Sequence, residues 1–245
     1  MQHIDEKQLY TNDKYRFEYV AAYMGFGEKD IKAIQDIAEK MRPIVPVLVD
    51  AVYKKQFEFD ITKKHFLPKN EGFEGELANS LEELTLDHPQ IKFRKDFLGK
   101  YLIRILKGPY DDRFLKYLDW VAKIHTDTPE KKSKINVDYI HINALMGFVE
   151  SAIIDTVRTL GLDRDEEGVV LSAFNKLMWI QNDYYAKYYM NPYFSDLMEK
   201  KYKAEADQEN QVQKSGGFFA ELNIISIVIG VLAGGLGFWI SANRH

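Results

Sequence analysis

Apolar residues recur at three- and four-residue steps along most of the first 190 positions, and alternating apolar and polar stretches are scarce. Such steps place apolar side chains on one face of a helix, whereas alternation would indicate strands. The segment 126–134 is polar and contains Pro129, so it is predicted as a loop, and 60–87 shows no clear period. The chain is therefore predicted to be all-α, with helices over 13–24, 27–41, 43–57, 91–107, 111–125, 136–160 and 165–190.

The end of the chain has a different composition from the rest. Residues 222–240 read LNIISIVIGVLAGGLGFWI, contain no charge and end near Trp239. About 20 apolar residues are what one helix needs to cross a bilayer, and tryptophan is common at the interface. A buried core helix is the alternative. We predict a transmembrane helical anchor at 218–241, a polar linker over 196–217, and one folded domain over 1–195.

Basic residues predict the orientation of this anchor. Only Arg244 follows it, whereas four lysines precede it, at positions 200, 201, 203 and 214. The positive-inside rule then places the N-terminal domain in the cytoplasm, as a single-pass protein anchored at its C-terminus. Gly230 and Gly234 stand four residues apart, a spacing that lets two membrane helices approach closely. The polar N-terminus lacks the pattern of a signal peptide.

Composition excludes several classes of chemistry. The chain has no cysteine, which removes disulfides, thiolate metal sites and iron–sulfur clusters. Its net charge of −4 gives no reason to expect nucleic acid. The sequence contains no His–Glu–x–x–His motif, phosphate-binding glycine loop or nucleophile elbow. No catalytic residue is assigned.

One histidine continues an apolar helix face. In DDRFLKYLDWVAKIH, His125 follows a stripe formed by Leu115, Leu118, Val121 and Ala122, and a polar loop comes directly after it. Position alone leaves two interpretations open: a satisfied histidine at the rim of the core, or a metal ligand.

Aromatic residues mark two other helices. Phe93, Phe97 and Tyr101 recur at four-residue steps and form a ridge on one helix, which ordinary core packing would also explain. Tyr53 ends the run PVLVDAVY. A buried tyrosine needs a partner for its hydroxyl. Tyr53 therefore either makes a structural hydrogen bond or donates a hydrogen bond into a pocket.

Together these segments resemble a known family. The helix ending VDAVYKK, followed by KFRKDFLGKYLIRILKGPYDDRFLKYLDWVAKIH, is similar to the protoglobins and to the globin domains of globin-coupled sensors, over about residues 13–190. The resemblance implies a globin-like fold with an extra N-terminal helix and one bound haem b. It also implies a homodimer formed by the two last globin helices, to which the membrane helix could add a second contact.

The resemblance assigns roles to individual residues. His125 would be the proximal ligand of the haem iron, and Tyr53 the distal hydrogen-bond donor. Phe97 would lie over the haem, Phe148 would line the pocket, and Trp120 would pack on the proximal side. Phe93 and Tyr101, which share the ridge of Phe97, complete the predicted cofactor-binding set.

Two polar residues stay open between alternatives. His141 is either a rim residue or a contact to a haem propionate or a competing ligand. Arg94, one turn before Phe97, is either a solvated charge or a propionate partner.

Three functions agree with these features. The first is a membrane-tethered gas or redox sensor that binds O2, NO or CO and acts on an unknown signalling or redox partner. The second is a haem enzyme, such as a nitric oxide dioxygenase, a peroxidase-like protein or a membrane electron carrier, which would need a separate reductase. The third is a haem-free adaptor that uses the fold for interaction only.

Overall fold

The computed structural model describes residues 1–127 and 135–191, and every regular element in them is helical. This confirms the predicted all-α class. The helices are α1 (Glu6–Thr11), α2 (Asp13–Met24), α3 (Glu28–Asp36), α4 (Ala38–Met41), α5 (Val45–Phe57), α6 (Asp60–Lys63), α7 (Pro89–Lys107), α8 (Asp112–Lys123), α9 (Tyr139–Arg158) and α10 (Arg164–Met190). Short 3-10 turns occupy Arg42–Ile44 and Lys64–Phe66.

Local sequence signals set most helix ends. Pro46 and Pro89 stand in the first turns of α5 and α7, where the missing N–H costs nothing. The Asp111 carboxylate accepts hydrogen bonds from the backbone N–H groups of Arg113 and Phe114 and so caps α8. Gly108 ends α7 at φ 68°, a backbone conformation that favours glycine.

The helix predicted over 27–41 is interrupted. Helix α3 ends at Asp36 and α4 begins at Ala38, with Ile37 between them at φ −95° and ψ −1°. The residues on both sides of the break, Ile34 and Met41, are buried together with Ile37. These residues stand at three- and four-residue steps, so the buried apolar face continues across the interruption.

Helix α10 is the centre of the domain. It packs against α2, α3, α8 and α9, while α5 packs against α7 and α9. Phe114 and Leu118 of α8 and Ile91 of α7 are fully buried in the core between these helices. Helices α7 and α8 carry most of the predicted site residues. Helix α7 packs against α5, and helix α8 packs against α10.

Helix α9 is unusually apolar for its position. Within the described part of the chain it is the one helix long and apolar enough to cross a membrane, by length and composition alone. It nevertheless packs against α5 and α10 in the helical domain. The predicted linker and anchor, 196–217 and 218–241, lie outside the described residues, and so does most of the loop after His125.

Candidate functional site

His125 lies in the turn directly after α8, two residues beyond its last residue. Its Nδ1 is 2.7 Å from the carbonyl oxygen of Val121, one turn earlier. A carbonyl only accepts hydrogen bonds, so Nδ1 carries a proton, and in the neutral ring Nε2 has the lone pair that a metal needs. The Val121 carbonyl therefore orients the imidazole ring.

The ring of His125 is half-buried and held from one side. It meets the ring of Tyr185 of α10 edge-on, with 5.7 Å between the ring centroids. The backbone carbonyl of His125 also accepts a hydrogen bond of 2.9 Å from the N–H of Val137. The residues before and after the polar loop are thereby joined next to the imidazole.

Tyr53 is buried on α5, and its surroundings are largely aromatic. Its ring centroid is 5.5 Å from that of Phe66, and Lys95 Nζ lies 6.0 Å from the Tyr53 centroid. Burial raises the pKa of the Tyr53 hydroxyl well above its usual value, although the positive charge of Arg94 opposes that shift. The hydroxyl makes no hydrogen bond to another described residue, so it is a neutral donor without a structural partner.

The predicted ridge on α7 divides into two contacts. Phe93 and Phe97 meet edge to face at 5.0 Å between centroids. Tyr101 turns instead toward α8 and α10: its hydroxyl donates a 3.0 Å hydrogen bond to Oε1 of Gln181, and its ring is 6.2 Å from that of Tyr117. Only Phe93 and Phe97 therefore have the purely apolar character expected of residues that line a ligand pocket.

Trp120 and Phe148 lie on two further helices. Trp120 of α8 stacks on Tyr117 at 6.0 Å, with 21° between the ring planes. Phe148 of α9 is half-buried, and Lys55 Nζ lies 5.8 Å from its centroid. The side chains of Phe97 and Trp120 are 42% and 47% exposed, which is high for large aromatic residues.

This set of residues fits a haem. One imidazole donates its Nδ1–H to a backbone carbonyl, and a separate helix supplies a tyrosine hydroxyl. Two other helices present aromatic rings that are incompletely covered. Imidazole is a common axial ligand of haem iron, and the polarity of the opposite side decides which ligands bind.

A small apolar cavity elsewhere does not belong to this site. It measures about 10 Å³ and is lined by apolar side chains only, among them Leu48, Leu102, Ile153 and Phe174. None of the predicted site residues lines it. A space of this size is a packing defect that holds at most one water molecule.

Sequence reasoning missed the burial of Arg94 and of one ring nitrogen of His65. Arg94 is buried, so its interpretation as a solvated charge is wrong. His65, which the sequence gave no reason to select, lies 6.0 Å from His141 between ring centroids, and its Nε2 is buried without a partner among the described residues. No local pattern distinguishes these side chains from exposed ones, because their burial comes from elements distant in sequence.

Comparisons with known proteins agree with this geometry. The family model described as Protoglobin matches residues 13–195. The globin domain of the Geobacter sulfurreducens globin-coupled sensor superposes with a TM-score of 0.56 at 16% sequence identity, covering 71% of this chain and 97% of that domain. This similarity confirms the globin-like fold. No curated protein matches the sequence significantly.

Proposed function

Because this chain belongs to the protoglobin family, we propose that it binds haem b through Nε2 of His125 and a diatomic gas on the opposite side. The observation that carries the proposal is the hydrogen bond from Nδ1 of His125 to the Val121 carbonyl. It fixes the tautomer and the orientation of the imidazole, as partners of metal-ligating histidines do elsewhere.

The side chains around the site have separate tasks. Haem, when bound, supplies an iron atom to which O2, NO or CO can bind. Tyr53 donates a hydrogen bond to the gas ligand from its otherwise unpartnered hydroxyl. Phe93 and Phe97 exclude water from the distal side, and Phe148 adds an apolar wall. Trp120 covers the proximal side, and Tyr101 supports α7 through its hydrogen bond to Gln181.

A buried ion-pair cluster supports a role in signalling. Lys187 of α10 is 5% exposed, and its Nζ lies 2.6 Å from Asp119 of α8 and 2.5 Å from Asp13 of α2. His125 lies in the turn directly after α8, so a displacement of the imidazole that moved α8 would reach α10 through this cluster. Helix α10 in turn precedes the linker and the predicted anchor. We therefore propose a membrane-tethered gas or redox sensor whose partner contacts lie beyond α10.

Exposed apolar residues on the last two globin helices support a homodimer. Three large apolar side chains on these helices are exposed: Ile140 of α9, and Trp179 and Met190 of α10. Large exposed apolar side chains on neighbouring helices are typical of an interface. The uncharged segment 218–241 and the lysines before it support the membrane tether and the cytoplasmic location of the globin domain.

Absorbance spectroscopy tests the proposal. The full chain, purified in detergent and supplied with haem, should show a Soret band and retain the haem through gel filtration. His125→Ala should lose most of the retained haem, whereas His141→Ala, a histidine that also lies at the domain rim, should keep it. A wild-type chain without a Soret band would leave the haem-free adaptor as the remaining function.

A further inference from the structure

Arg94 is a buried cation without a compensating anion. Its side chain is 9% exposed, and no carboxylate of the described residues lies within ion-pair distance of it. One amino group donates a 2.8 Å hydrogen bond to the carbonyl of Pro68, while the buried Nε–H has no partner. Proteins rarely bury a charge in this way unless an anion pairs with it.

Neighbouring charges do not explain the arrangement. Lys95, the residue that follows Arg94 in α7, has its own counter-ion, since its Nζ lies 2.9 Å from the Asp50 carboxylate. Burial lowers the pKa of Arg94 from its usual value, and the only favourable influence on its charge comes from Tyr53. Arginine remains charged in proteins, so the guanidinium keeps its unused donor and its unbalanced charge.

Tyr53 presents a second donor next to this cation. Both side chains flank the same ring: the Arg94 guanidinium carbon lies 5.2 Å from the Phe66 centroid, and the Tyr53 centroid lies 5.5 Å from it. Burial raises the pKa of the Tyr53 hydroxyl, and the positive charge of Arg94 acts in the opposite direction on that pKa. A buried N–H without a partner, on Arg94, and the hydroxyl-bearing ring of Tyr53 thus lie around one apolar ring.

We propose that Arg94 and Tyr53 bind a small monovalent oxyanion, such as nitrite or formate, on the distal side. Two donors, one of them charged, match the paired oxygens of such an anion. The inference rests on the proposed haem function, because it adds an anionic ligand class to the neutral gases at the same site. A haem propionate has the same carboxylate chemistry and is the competing source of the anion.

A nitrite titration of the haem-loaded full chain tests the proposal. Oxidised protein in detergent is titrated at constant ionic strength, and the Kd is read from the shift of the Soret band. Arg94→Met and Tyr53→Phe should each weaken nitrite binding, the first by about 10- to 100-fold because a charge-assisted hydrogen bond is lost.

Arg104→Met is the matched control. Arg104 lies on the same helix, its Nε is also without a partner, and its guanidinium carbon lies 5.4 Å from the centroid of Tyr117 rather than near Tyr53. Its nitrite Kd should stay within about twofold of the wild-type value. Should Arg94→Met fail to fold, Arg94→Lys decides, since it keeps the charge, lacks the Nε donor and should bind nitrite more weakly.

Haem dimethyl ester, which lacks free propionates, separates the two anion sources. A nitrite Kd that still depends on Arg94 in the ester-loaded protein supports the free-anion site. Equal nitrite Kd values for wild type and Arg94→Met overturn it. It is also overturned if Arg94→Met weakens only haem retention and this weakening is absent with the dimethyl ester.

A chain that binds no haem refutes the proposed function but not this inference. In that case the melting temperature of the haem-free chain is measured with and without nitrite. A nitrite-induced rise that is lost in Arg94→Met supports the anion site, and a rise of equal size in both proteins overturns it.

Discussion

The hydrogen bond from Nδ1 of His125 to the Val121 carbonyl orients the imidazole ring. On α7, the buried Nε–H of the Arg94 guanidinium has no partner among the described residues. Unsatisfied buried polar groups destabilise a fold, and they persist where a ligand completes them.

Sequence could predict the first of these residues and not the last. His125 and Tyr53 end apolar helical stripes, so their positions are encoded locally. Arg94 has charged neighbours, Lys92 and Lys95, in a helix segment that looks solvated. Its burial arises from Pro68 and Phe66, more than 20 positions earlier, whose segment shows no period.

Replacing Tyr53 with phenylalanine should release bound O2 faster. The variant removes the hydroxyl that donates to the gas and leaves the aromatic packing on Phe66, so the dissociation rate should rise about 10-fold. Stopped-flow displacement of O2 by CO measures that rate. Tyr184→Phe is the matched control, because it removes a tyrosine hydroxyl on α10 that is buried without a partner among the described residues. Equal rates in wild type and Tyr53→Phe would exclude Tyr53 as the donor.

His65 should make the stability of the domain depend on pH. Burial, with Lys64 and His141, lowers the pKa of His65 in the folded chain, whereas Asp138 opposes the shift. The unfolded chain, in which histidine titrates near about 6.5, therefore binds the proton more readily. The contribution of His65 to the free energy of unfolding is complete above that pH and is lost as the pH falls toward the lower pKa of the folded chain.

The measurement is the melting temperature at pH 7.5 and at about pH 5.5. His65→Gln should reduce the decrease between these two conditions. His3→Gln, a substitution at the exposed N-terminus, should leave it unchanged. A decrease that is the same in His65→Gln and wild type would contradict this account.

At the level of elements, helix ends with proline, glycine or aspartate caps could be predicted within a few residues. Helices α2, α5, α7, α8 and α10 all begin or end at such signals. The short polar helix α1 could not be predicted, because it buries no residue that would give it a period. The break at Ile37 could not be predicted either, since it depends on how two helices share one core.

Lys187 should be the strongest polar contact between these elements. Lys187→Met leaves Asp119 and Asp13 without their cation, although Asp13 is half exposed and solvent screens its charge. We expect a loss of about 2 kcal/mol in the free energy of unfolding. Chemical denaturation monitored by circular dichroism measures it.

The control for this substitution is Lys14→Met. Lys14 also joins α2 to α8, through Asp112, but both side chains are exposed. Exposed ion pairs contribute about 0–1 kcal/mol, so little change is expected. Similar losses in the two variants would mean that burial of Lys187 adds nothing to the link between these helices.

For the whole molecule, the proposed dimer has two independent contacts. Ile140→Asp places a charge on the exposed apolar face of α9, and Gly230→Leu blocks close approach of the predicted membrane helices. Light scattering of the full chain in detergent should show a higher monomer fraction for Ile140→Asp. A dimer that Ile140→Asp leaves intact and Gly230→Leu dissociates would assign the contact to the membrane segment alone.

The most direct test of the central claim is the iron–histidine stretching band in the resonance Raman spectrum of the reduced, gas-free protein. We predict a band in wild type that shifts when histidine is labelled with ¹⁵N and that disappears in His125→Ala. A band that persists in His125→Ala, or a haem spectrum insensitive to the histidine label, would show that another group holds the iron and would contradict the account.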